Sequence, residues 1–184
     1  MAIASQIYVN DANGQSQFYV KQKILKLKEA VKVYADSQQT ELIYQIEADR
    51  IIDFSAKYTI TDQSGASIGS IKRQGARSLW RAHYDILDTN DQVIYTISEE
   101  NAWIKVMDGL MREIPIVGLL GGYFFNPTYL VKGHTDNTVM RVAKQPSFLE
   151  SSFKITEESP LDESQEVHIV LSVLMMLLLE RNRG

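Results

Sequence analysis

The 184-residue chain carries a net charge of −4 and no cysteine, which excludes disulfides, cysteine-ligated metal centres and a thiol nucleophile. Hydrophobic residues at 45% and charged residues at 23% are values of an ordinary globular domain, and the acidic balance argues against a nucleic-acid partner. The length suits one domain built on one core.

The opening seventeen residues, MAIASQIYVNDANGQSQ, lack the basic start and apolar run of a secretory signal and read as a flexible leader (1–17) before a single domain over 18–184. A cytoplasmic location is expected, with peripheral attachment to a membrane compatible with it. Lys21, Lys23, Lys26, Lys28 and Lys32 then place five lysines in twelve residues of a predicted strand. The apolar register shifts at Ile24 and Leu25, as at a bulge, so the lysines can share the outer face. Such a row attracts anionic lipid. It equally keeps an exposed strand from aggregating.

From Tyr34 onward one pattern repeats. In YTITDQSGASIGSI, Tyr58, Ile60, Ile68 and Ile71 stand at −4, −2, +6 and +9 from Asp62. The same offsets recur around Asp88 (Tyr84, Ile86, Ile94, Ile97) and Gly133 (Tyr129, Val131, Val139, Val142). A looser copy surrounds Asp36, and half a copy, Phe153 and Ile155, precedes Glu157. Alternating apolar residues around an Asp, Asn or Gly turn predict half-buried antiparallel hairpins. Hairpins in series need something to enclose, and closure would remove their edges. Between the second and third hairpins, Lys72, Arg73, Arg77 and Arg81 form a basic group with Gly75 and Trp80. Guanidinium forks suit phosphate oxygens, while the plainer reading is solvated charge beside a core tryptophan.

Extra chain follows Asp88. Trp103, Val106, Met107, Leu110, Met111 and Ile114 fall at helical spacing, Pro115 ends the run, and an apolar stretch broken by Gly118, Gly121 and Gly122 follows. This predicts a helical insertion at about 98–127, whose apolar part packs on the sheet rather than hooking into lipid. At the other end, Val167 to Leu179 are apolar all round except for His168 and Ser172. Thirteen residues span roughly 20 Å against about 30 Å of hydrocarbon, so a buried core helix is expected rather than a membrane span. Ser159 and Pro160 read as its cap and first position. Glu157, Glu158, Asp162, Glu163 and Glu166 lack calcium-loop spacing and suit the positive end of that helix.

The opening YVKQKILKLKEAVKVYA, the repeated Y-x-I-x-D hairpins, the tryptophan that leads the insertion and the apolar terminal helix together resemble the LURP-one-related family over roughly residues 18 to 182. That family is grouped with the tubby C-terminal domain and the phospholipid scramblases. The resemblance implies a mainly β fold: a closed antiparallel barrel of about twelve strands around a central hydrophobic C-terminal helix. It also implies a non-catalytic domain that binds anionic phospholipid headgroups, or a protein partner, at a membrane surface. A scramblase-like protein acting directly on membrane lipid is the alternative, and a protein-interaction module without lipid ligand a further one. A headgroup site would draw on Lys21, Lys23, Lys72, Arg73, Arg77 and Arg81. No cofactor, metal or catalytic residue is expected. His83, His134 and His168 follow no ligand spacing, and neither a nucleophile elbow nor a phosphate loop occurs.

Overall fold

The computed structural model describes residues 4–23, 30–49, 56–75, 82–100, 127–146 and 151–181. They form eleven strands and one helix. The strands are β1 (Ala4–Asn10), β2 (Ser16–Lys23), β3 (Val31–Tyr34), β4 (Leu42–Ala48), β5 (Lys57–Asp62), β6 (Ser67–Arg73), β7 (His83–Leu87), β8 (Val93–Glu99), β9 (Thr128–Lys132), β10 (Thr138–Gln145) and β11 (Ser152–Glu157). The helix, α1, is Glu163–Arg181. The strands pair in chain order as one antiparallel sheet.

The offsets translate directly into register. Tyr58 pairs with Ile71, Tyr84 with Ile97 and Tyr129 with Val142, so the aromatic of one arm faces the β-branched residue of the other. Ile60, Ile71, Ile86, Ile97, Val131 and Val142 are wholly buried. Their side chains meet α1, in which the nine consecutive residues from His168 to Met176 are all buried. Nine residues cover every side of a helix, so α1 is enclosed by the protein rather than laid on its surface. No helix of the described residues is long and apolar enough to cross a membrane.

Each hairpin is closed by the same turn. The amide of the residue three along donates to the carbonyl of Asp11, Asp36, Asp62, Asp88 or Gly133, and that fourth residue has positive φ: Gly14, Gln39, Gly65, Asp91 and Asp136 at 81°, 61°, 83°, 61° and 60°. At Asp11, Asp62, Asp88 and Gly133 this is a three-residue loop built on a type I turn with a left-handed residue at its end, while the loop at Asp36 is longer and closes from the Ala35 amide to the Glu41 carbonyl. Where an aspartate leads, its side chain often completes the turn. Asp62 Oδ1 accepts from the amides of Ser64 and Ala66 at 2.8 and 3.0 Å, and Asp88 Oδ1 from Asn90 and Gln92 at 2.8 Å each. The Ser64 hydroxyl at Asp62, and the Gln92 amide at Asp88, hold these carboxyls below the usual carboxylate range.

Three expectations are corrected. Residues 4–10 are not a flexible leader: they form β1, paired along its length with β2 through a fifth turn at Asp11. That copy of the repeat is disguised because Gln17 stands where an apolar residue is expected at +6. The sheet has eleven strands, and among the described residues β1 and β11 do not pair, so closure is not observed. The count is odd because the last module gives its second arm to α1. Finally, Ser159 does not cap the helix; its hydroxyl donates to the Thr138 carbonyl at 3.1 Å. The cap is Asp162, whose Oδ1 accepts from the Gln165 amide at 2.9 Å while Gln165 Oε1 accepts from the Asp162 amide at 3.1 Å. This reciprocal pair needs a residue three beyond the cap, which only Asp162 has in place. Of the predicted helical insertion at 98–127, residues 101–126 lie outside the described residues; 98 and 99 belong to β8.

Candidate functional site

The meander separates two ends. All five turns lie at one, and each carries at least one aspartate. At the other, strands run out into the links: β2 ends at Lys23 and β6 at Arg73. The predicted basic residues divide there by burial. Lys21 and Lys72 are exposed, and among the described residues neither joins an ion pair. Other surface lysines differ: Lys57 pairs with Asp91 and Lys132 with Asp136, both at 2.9 Å. Lys72 lies in register between Lys57 and Asp85, whose carboxylate accepts from Gln74 Nε2 at 2.5 Å. Lys23 closes β2, and nothing is described of its side chain. Arg77 and Arg81 lie outside the described residues, in the chain between β6 and β7.

Arg73 faces the other way. It is buried, its Nη2 lies 3.5 Å from Glu180 Oε1, and its guanidinium sits 5.8 Å from the centre of the Tyr84 ring. The Tyr84 hydroxyl donates to the same Glu180 oxygen at 2.7 Å. Burial first, and the Glu180 carboxylate second, push the Tyr84 phenol far above its ordinary range, so it remains a neutral donor. Tyr129 is raised likewise, by burial and then by Glu99 and Glu180. The strand alternation explains the split: Lys72 and Arg73 are neighbours on β6 and so point to opposite faces. Arg73 therefore anchors the last turn of α1 to β6 and β7. A headgroup contact through it would require breaking that anchor and leaving a carboxylate in the interior. Nothing in the sequence announces Glu180 as its partner, because the pair closes across more than a hundred residues.

The remaining candidates are dispersed. His83 opens β7, His134 is exposed in the last turn, and His168 is buried in α1. Of the acidic run, Glu158 pairs with Arg141, which also holds Glu100, at 2.5 and 2.6 Å respectively. Glu157 accepts from the Leu161 amide at 2.8 Å, and Asp162 caps α1. Among the described residues no three His, Asp or Glu side chains are grouped to hold a metal ion.

A family model described as LURP-one-related matches residues 16–173. No curated protein and no solved structure matches the chain.

Proposed function

Since the chain belongs to the LURP-one-related family, we propose that it is a non-catalytic domain that uses the link end of its sheet to contact anionic phospholipid headgroups at a membrane surface. The observation that carries this reading is the exposure of Lys21 and Lys72, unpaired among the described residues, at the end of the sheet remote from its aspartate turns. Four inter-strand steps of about 4.8 Å put them roughly 19 Å apart along the sheet, too far for one headgroup and suited to several. The link that carries Arg77 and Arg81 leaves β6 just beyond Lys72, and Lys23 ends β2. Each basic residue near an anionic surface contributes about 1 kcal/mol. The scramblase-like alternative would place the terminal apolar run in lipid, and the burial of His168 to Met176 within the protein speaks against it.

Co-sedimentation with vesicles of neutral phospholipid, alone or with phosphoinositide, tests the proposal. Wild type is expected to sediment with the anionic vesicles only, and less at higher salt. Lys21→Glu/Lys72→Glu and Arg77→Ala/Arg81→Ala are each expected to lose most of that binding, with the fold intact by circular dichroism. Binding that ignores lipid charge would sink the proposal, as would its survival in both variants. A protein partner for the same surface would then be sought by pull-down.

The same reading includes closure of the sheet into a barrel around α1, for which the enclosure of that helix is the support. The outward-directed amides of β1 and β11 then have partners, and half of each strand's amides beyond those paired to β2 and β10 are expected to exchange slowly. Exchange of those amides at the rate of loops would mean an open sheet.

A further inference from the structure

On the outer face of the sheet, β1 to β4 carry a row of side chains with no counter-charge in it. Gln6 pairs with Lys21 and Lys32 with Gln45, while the pairs Tyr19–Tyr34 and Val20–Val33 set Lys21 opposite Lys32 one step on. We infer that this row, Gln6, Lys21, Lys32 and Gln45, binds a phosphomonoester group between its two ammonium groups. Side chains directly opposite on a sheet have Cβ atoms about 5 Å apart, and like charges there weaken the pairing. Both lysines are exposed, since Val20, Val31 and Val33 beside them take the buried inner face. Among the described residues neither joins an ion pair. Lys57 and Lys72 also face each other, and there the repulsion is answered: Asp91 holds Lys57 at 2.9 Å, and Asp85 stands opposite Lys72. Beside the row the carboxylate in diagonal register with Lys32 is Glu47, which accepts from Gln45 Nε2 at 2.6 Å. An anion from outside relieves what the sheet leaves unrelieved.

Two ammonium groups this close ask for more than one negative charge on a small group. A phosphomonoester carries about 1.5 to 2 at neutral pH, on three acceptor oxygens. A phosphodiester or a carboxylate carries one. Lys21 and Lys32 can each take an oxygen, and Gln6 supplies a donor for the third: the Tyr8 hydroxyl donates to Gln6 Oε1 at 3.2 Å, which leaves the amide N–H groups of Gln6 to the ligand. The neighbouring row favours one source of such a group. Tyr8 is 56% exposed, more than any other large hydrophobic side chain described, and its ring rests on Tyr19 with centroids 5.0 Å apart. Tyrosine rings settle at the headgroup level of a bilayer, so the surroundings suit a lipid headgroup. That choice of source rests on the membrane reading above, whereas the phosphate chemistry rests on the lysine pair alone.

Co-sedimentation of the full chain with neutral phospholipid vesicles that contain either phosphatidic acid, a phosphomonoester, or phosphatidylglycerol, a phosphodiester, at matched surface charge tests the inference. Wild type is expected to bind the first at least five-fold tighter. Lys32→Gln is expected to remove that preference while its urea midpoint stays at or above that of wild type, since the change relieves a repulsion. Lys154→Gln, the same change at an exposed strand lysine that faces Ala143, is expected to keep it. Titration of the β2 and β3 amide resonances with glycerol 3-phosphate separates the sources: with a lipid source Tyr8→Ser weakens vesicle binding several-fold and leaves the glycerol 3-phosphate affinity unchanged, and with a free phosphomonoester it leaves both unchanged. If no vesicle binds while glycerol 3-phosphate does so through Lys32, the membrane reading fails and the site stands. The inference itself is overturned if the two kinds of vesicle bind alike, if Lys32→Gln keeps the preference or the glycerol 3-phosphate affinity, if Lys154→Gln removes them, or if neither vesicle nor glycerol 3-phosphate binds.

Discussion

Gly69→Ala is expected to destabilise the protein by about 2 to 6 kcal/mol, the sum of a backbone term and a packing term of about 1 to 3 kcal/mol each. Gly69 has φ of 138°, a conformation that residues with a Cβ scarcely adopt. A Cβ built there would stand 2.2 Å from His168 Cε1, 2.6 Å from its Nε2 and 2.5 Å from the Leu87 carbonyl oxygen. The ring sits on a helix enclosed all round and has no room to swing aside, and the Leu87 oxygen belongs to β7, which pairs with β6 through Ser70 and Leu87. Something in the core or the sheet must give. Urea unfolding of Gly69→Ala, His168→Ala and the double variant separates the terms. The double variant is expected to recover part of the loss and not all of it, since removing the ring relieves two contacts and leaves the φ and the carbonyl. A Gly69→Ala protein within about 0.5 kcal/mol of wild type would show that the close approach of α1 to β6 does not hold in solution.

This contact shows how far the sequence can be read. The hairpins were legible because their signal is local: an aspartate turn and apolar residues at fixed offsets define register within some fourteen residues. The turn at Asp11 escaped because one polar residue, Gln17, interrupts that pattern, although Ile7, Val9 and Val20 keep the other three positions. The burial of α1 was legible because a helix with no polar face has only one soluble solution. Gly69 carried a readable clue, a glycine inside a strand, which marks a bulge or a close approach of another group. Which group approaches is not local information, since His168 lies some hundred residues away. The basic site divides in the same way. Alternation on β6 alone requires Lys72 and Arg73 to face opposite sides, so one of the two had to point inward. That Arg73 is the one, and that Glu180 receives it, follows from the register of the whole sheet against the helix.

Leu171→Ala is expected to cost about 2 to 5 kcal/mol and Leu171→Asp to prevent folding. Leu171 is wholly buried in the middle of α1, among Ile169, Met175 and the strand residues of the core. Truncation to alanine removes its transfer free energy and leaves a cavity that a surrounding sheet can only partly collapse. An aspartate there would meet no cation: Arg73, the one buried guanidinium among the described residues, is held by Glu180 near the other end of the helix. Gln165→Ala, an exposed position one turn from the start of the same helix, is expected to stay within about 0.5 kcal/mol beyond the small loss from its capping pair with Asp162. Urea midpoints of the three variants decide between two roles for the apolar run. If α1 is the core that the sheet needs, the order of loss is Leu171→Asp, Leu171→Ala, Gln165→Ala, with the first unfolded in water. If the run instead served to enter lipid and left the sheet self-sufficient, Leu171→Asp would fold in solution with wild-type stability and lose only its attachment to vesicles. Stability in a chain of this size is of the order of 5 to 15 kcal/mol, so the two outcomes are far apart on a single denaturation curve.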